Sequence, residues 1–149
     1  MSESIAHKCE SALLALFAAD TTIKSIGPDL RHGNDQTQPR AAHALIVQCV
    51  PAENANFSET GGGAWFRVRA NITAGGWPQR DESGERVDAL YSRVESMLFA
   101  ITRTQLNALL VGDLAGISID GIVHEAPDEI NEQEAIGRNY ALTLHGHTT

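Results

Sequence analysis

Chemistry in this sequence would have to come from its six histidines, its nineteen carboxylates or its two cysteines. His145 and His147 are two residues apart, so on a strand they share one face. A neighbouring strand carrying Asp120 or His124 would place a further donor beside them. Zinc needs at least three such ligands converging, with groups behind them to orient the rings. The plainer reading of the same residues is a polar outer strand face. Asp128, Glu129, Glu132 and Glu134 could supply general acid–base carboxylates or hold a hard cation. They lack the Asp-x-Asp-x-Asp-Gly order of an EF-hand loop, and charge runs of this kind are ordinarily solvated connections. Gly61-Gly62-Gly63 precedes a strand pattern, so it offers no helix N-terminal amides to a phosphate and reads as a turn. Ser58 and Ser83 sit in no Gly-x-Ser-x-Gly elbow, and neither Cys9 nor Cys49 has a histidine placed to activate it. No catalytic, cofactor-binding or metal motif emerges, and a non-enzymatic protein without cofactor is expected.

Binding is better represented. In WFRVRANIT (Trp65 to Thr73) Phe66, Val68, Ala70 and Ile72 take one face of a half-buried strand. Arg67 and Arg69 project from the other face, where they are either solvent-facing filler or interface residues, for which the planar guanidinium is favoured. Trp77, in a Gly-Gly-Trp-Pro loop, either folds back onto the sheet or anchors a partner. With Arg80 in the same loop, these four are the interface candidates.

The element that must position them is the amphipathic stretch from Gly84 to Ile101. Val87, Leu90, Tyr91, Val94, Met97, Leu98 and Ile101 form one apolar stripe at helical spacing, and Arg86, Asp88, Ser92, Arg93, Glu95 and Ser96 fall on the solvated side. Ser83 is its expected N-cap. A first helix is expected over Ile5 to Ala19, with Ile5, Cys9, Ala12, Leu13, Leu16 and Phe17 on its apolar face and Lys8, Glu10 and Ser11 off it. Strands are expected at Ala44 to Val50, Trp65 to Thr73, Ile117 to Glu125 (Ile117, Ile119 and Val123 on one side) and Arg138 to His147 (Tyr140, Leu142 and Leu144 inward). Gly27 to Ala42, Glu53 to Gly63, Ala74 to Ser83 and the acidic Pro127 to Ala135 read as connections. Thr102 to Leu110 is either helical or turn. The expected fold is a single α+β domain over residues 1–149: a mostly antiparallel four-stranded sheet with two main helices on one face, in the order α-β-β-α-β-β.

Composition narrows the partners. Apolar (42%) and charged (20%) contents are those of a globular protein, and no apolar run approaches the roughly 20 residues that span a bilayer. The start, MSESIAHKCES, lacks the basic end and cleavage site of a signal peptide, so synthesis and retention in a cytoplasm are expected. There the two cysteines are expected as small buried hydrophobes in preference to a disulfide or two-cysteine metal site, since no Cys-x-x-Cys or Cys/His cluster surrounds either one. A net charge of −8 disfavours broad nucleic-acid binding, which needs a basic footprint.

This succession resembles the tail-terminator and tail-completion proteins of tailed bacteriophages, and related head–tail joining proteins. It is carried by a leading helix, a strand near Ala44 to Val50, WFRVRANIT, a loop, the helix GERVDALYSRVESMLFAI and a closing RNYALTLHG strand after an acidic loop. The resemblance implies a homo-oligomeric ring, commonly a hexamer, that caps the tail tube, ends its elongation and meets the head connector. It implies a virion protein assembled in the bacterial host cytoplasm, with the tail tube protein and head–tail connector proteins as partners, and no membrane or sequence-specific nucleic-acid contact. The alternative from the residues is a small α+β metal- or ligand-binding enzyme using His124, His145 and His147.

Overall fold

Strict alternation along the chain's central strand divides the sheet into a dry face and an open one. The computed structural model describes residues 5–33, 43–51, 59–60, 63–76, 85–110, 113–130 and 133–147. In chain order the elements are α1 (Ile5–Ala18), α2 (Thr21–Ile26), β1 (Asp29–His32), β2 (His43–Pro51), β3 (Glu59–Thr60), β4 (Gly63–Gly76), α3 (Glu85–Ala100), α4 (Arg103–Asn107), β5 (Asp113–Ile130) and β6 (Gln133–His147). The sheet runs β1-β2-β4-β6-β5, and β3 pairs β4 off this path. Every pairing is antiparallel except β1 with β2, which is parallel and sets Asp29 opposite Ala44.

The fold is α+β, as expected, but with five strands in the main path rather than four. The added strand, β1, lies inside the supposed Gly27–Ala42 connection. Asp-Leu-Arg-His holds one apolar residue and so has no alternation to read. It is a strand because the edge of β2 offers it hydrogen bonds and Leu30 packs against the core. One short helix, α2, is also added, and the stretch left open between helix and turn contains another, α4. Asp20 caps α2 by accepting from the Ile23 N–H at 3.0 Å, and Gly27, at φ 74°, ends it in the left-handed conformation. Thr102 and Gln105 form a reciprocal capping box that makes Arg103–Asn107 helical.

The acidic Pro127–Ala135 stretch is not a loop. β5 continues to Ile130 and β6 starts at Gln133, with Glu129 opposite Glu134. Pro127 falls within the register shift between Glu125 and Asp128, where a missing N–H removes no ladder bond. A further shift between Ile119 and Gly121 places Ile122 opposite Tyr140 and Val123 opposite Asn139. The side chain of Val123, expected on the face of Ile117 and Ile119, lies outside the described residues. Glu132 lies outside the described residues.

The buried residues of all four helices join one core cluster with the dry face of the sheet. On α3, Leu90, Tyr91, Val94 and Leu98 are buried, with Met97 at the margin, which is the stripe read from sequence. Ser83 lies outside the described residues, as does the side chain of Val87. Arg93 and Glu95, expected to be solvated, are half-buried and paired. Arg93 grips Asp20 with two hydrogen bonds, Nη2 to Oδ1 at 2.6 Å and Nε to Oδ2 at 3.0 Å. One carboxylate thus caps α2 and ties it to α3. Both cysteines are buried free thiols, as expected.

Two outcomes follow from this packing. A Cβ at Gly33 would collide with the Gln48 Cβ, so Gly33→Ala should cost about 1–3 kcal/mol in urea unfolding through forced movement of β2. The Arg93 hydrogen bond, ahead of the other contributions, holds the Asp20 carboxyl below its ordinary range. Its stabilising effect is present above an unfolded pKa of about 3.9 and lost as pH falls through the lower folded value. Arg93→Ala should therefore lower Tm at pH 7, and the gap to wild type should close in acid.

Candidate functional site

Arg67 and Arg69 stand exposed on β4 between the buried Phe66, Val68 and Ala70. On the same face, Arg67 is opposite His145 of β6, and Arg69 lies between Val50 of β2 and Thr143 of β6. Neither arginine has an ion-pair partner among the described residues. Gly116 of β5 is opposite His145, and a Cβ there would be 2.7 Å from its Nε2, so the imidazole lies across the glycine. Val50 is exposed, and Thr73 donates to Asn139 Oδ1 at 3.4 Å. The result is a broad, polar, cationic sheet face with helices on its opposite side only, among the described residues. Phe99, on the outer side of α3, is 71% exposed. Sequence reading missed it because it sits beside the stripe's Leu98, and a single off-stripe aromatic is a weak signal.

Trp77 and Arg80 lie outside the described residues. The histidine set does not converge. His124 is paired in register with Arg138 and His145 with Arg67, seven residues further along β6. At strand rise that separation is about 23 Å, which removes the His124–His145–His147 metal centre. Asp128, Glu129 and Glu134 belong to the β5–β6 hairpin end, beyond the last residue of β6 paired to β4.

Two polar clusters on the helix side were not legible. Arg138 shares the dry face with Tyr140. It donates to Glu95 Oε1 at 3.0 Å, while the Tyr140 hydroxyl donates to the same oxygen at 3.1 Å. Its guanidinium lies 4.7 Å over the Tyr91 ring, a cation–π contact. The second cluster centres on Glu10, which was expected off the buried face of its helix but is only 6% exposed. Its Oε2 accepts from the Cys49 N–H at 2.9 Å, and its Oε1 accepts from His32 Nδ1 at 2.6 Å. His7, one helical turn before Glu10, stacks its ring on His32 at 4.6 Å. The His-x-x-Glu spacing within the first helix was the available signal.

Neither thiol is activated. Burial pushes the Cys9 thiol up to about 11, and burial, then Cys9 and Glu10, push Cys49 higher still. A shallow cleft of 290 Å³ between α1, α3 and α4 is walled by Asp20 and Arg93, which already satisfy one another.

No family model matches the sequence, and no curated protein matches it. Among solved structures, the chain is similar to one in the virion of a native gene transfer agent particle, at TM-score 0.58 and 11% identity, covering 98% of this chain and 99% of that one. A second solved chain, 14% identical over 93% of this chain and 91% of its own length, reaches a TM-score of 0.45. The first likeness shows a shared fold from end to end.

The chain's two tyrosines are both pushed up, chiefly by burial. Spectrophotometric titration should therefore show no phenol ionising near pH 10 while circular dichroism stays native. Ionisation should instead accompany alkaline unfolding, since stability held below the unfolded phenol value is lost as pH rises above it.

Proposed function

We propose that this chain is a structural protein of a phage-like particle, acting through assembly and not through catalysis. The observation that carries the reading is the full-length likeness of fold to a chain of a gene transfer agent virion. Within that class, the tail-terminator or tail-completion role fits best. Copies would form a closed ring, a hexamer in the form expected of such proteins, that caps the tail tube and presents a surface to the head connector. The particle's tail or neck would be its final location, reached by assembly in the host cytoplasm.

The surface supports self-association. A closed ring needs two different patches on each subunit, one meeting the other on the next copy. Arg67 and Arg69 supply a cationic patch on the open sheet face. The chain as a whole carries a net charge of −8, so a cationic patch finds complementary charge on another copy. Complementary charge of this kind steers encounter and fixes orientation. Phe99 adds an exposed aromatic of the type that anchors interfaces. No helix of the described residues is long and apolar enough to cross a membrane.

Light scattering on tag-free protein, with negative-stain imaging, tests the reading. The expected species is a ring of roughly six 16.0 kDa subunits. Arg67→Glu combined with Arg69→Glu should shift the mass toward monomer with unchanged circular dichroism, and Phe99→Ala should weaken assembly on its own. If the protein is monomeric alone, it should still bind the ends of purified tail tubes. Failure of both ring formation and tube binding overturns the proposal.

A further inference from the structure

We propose that His7, Glu10 and His32 form a site for one transition-metal ion of the zinc class, pinning α1 to the β1 edge of the sheet. One donor atom from each residue lies within 4.8 Å of the other two. Two imidazoles and a carboxylate are a donor set suited to Zn²⁺, Co²⁺ or Ni²⁺, and a poor one for Ca²⁺ or Mg²⁺, which prefer all-oxygen shells.

Three features make this more than proximity. First, Glu10 is oriented from behind. The Cys49 N–H holds Oε2 at 2.9 Å, which leaves Oε1 directed at His32. A ligating carboxylate fixed by a backbone donor is the outer-shell support that metal sites use. Second, the donors come from two separate elements, with His7 and Glu10 one turn apart on α1 and His32 at the end of β1. An ion there cross-links parts of the chain that the unfolded state keeps apart, so binding adds to folding stability. Third, His32 is one-third exposed while the Glu10 side chain is 8% exposed. The ion has a route in from solvent, and the carboxylate's charge is shielded from it.

The distances to close are short, and the His7 ring must also turn out of its stack on His32 so that both rings aim a nitrogen at one ion. Tetrahedral zinc with bonds of about 2.0–2.1 Å sets neighbouring donors about 3.3 Å apart, so no pair closes by more than about 1.5 Å. The Glu10–His32 contact, at 2.6 Å, must open slightly. There the ion replaces the proton that His32 Nδ1 shares with the carboxylate. A fourth position faces solvent and takes water. Binding weakens in acid, where protons compete for the same nitrogens. The Cys9 and Cys49 thiols are not among the donor atoms that converge there.

Co²⁺ titration of tag-free protein, followed by visible absorption and thermal unfolding, tests the site. The expected result is a ligand-field band that saturates at one equivalent and a Tm that rises with metal concentration. His7→Ala leaves the Cys49–Glu10–His32 hydrogen bonds in place and, with circular dichroism confirming the fold, should lose more than about tenfold in metal affinity, since removing a ligand costs at least as much as removing a group that supports one. Glu10→Gln should lose the affinity while keeping an acceptor for the Cys49 N–H. The proposal is overturned by absence of the band and of the Tm rise in wild type. It is equally overturned by undiminished binding in both variants, or by near-ultraviolet thiolate-to-cobalt absorption, which would place the ion on cysteine. None of these outcomes bears on ring formation, whose candidate contacts, Arg67, Arg69 and Phe99, are not among the metal donors.

Discussion

The helices are confined to one side because a strand that buries every second residue can dry only one face. On β4 the buried Phe66, Val68, Ala70, Ile72 and Ala74 are interleaved with Arg67, Arg69, Asn71 and Thr73. Its neighbours β2 and β6 inherit that division through the pairing register, so Val47 and Leu142 meet the core while Gln48 and Thr143 do not. A one-residue slip would exchange the faces and bury two guanidinium groups. The placement of α1 and α3, the exposure of the arginines and the shape of the core all depend on that register.

Polar groups inside the helix layer then do what apolar packing cannot. β1 stops at His32, and the Gly33 N–H makes one more bond, to the Val47 carbonyl. The next group on that side of β2 is the Cys49 N–H, and Glu10 reaches across from α1 to accept from it. A helix carboxylate thus completes a strand edge. Asp20 joins α2 to α3 in the same way, and Glu95 joins α3 to β6 through Arg138 and Tyr140. Each helix is therefore located by directional bonds as well as by a non-directional stripe.

These same residues mark where sequence reading failed. Long periodic segments were legible: the α3 stripe, the β4 alternation and the inward Tyr140, Leu142 and Leu144 all stand as read. Periodicity assigns a polar residue to the surface by default, which misplaced Glu10, Arg93 and Glu95, whose partners are distant in sequence. It was also blind to β1, whose strand character comes from its neighbour, and to bulges, which break the alternation that would reveal them. The exposure of Arg67 and Arg69 was legible because they share a strand with the core. That of Phe99 was not, since it has no pattern to belong to.

The register shifts in β5 have a bearing on how copies can meet. A bulge bends its strand and strengthens the local twist, and three in one outermost strand leave no long flat run of free amides and carbonyls. The opposite margin, β1, is four residues long. With both margins blunted, another copy gains little by continuing the sheet, the mode of contact that propagates without limit. What remains open to contact among the described residues is the exposed sheet face and the outer sides of the helices.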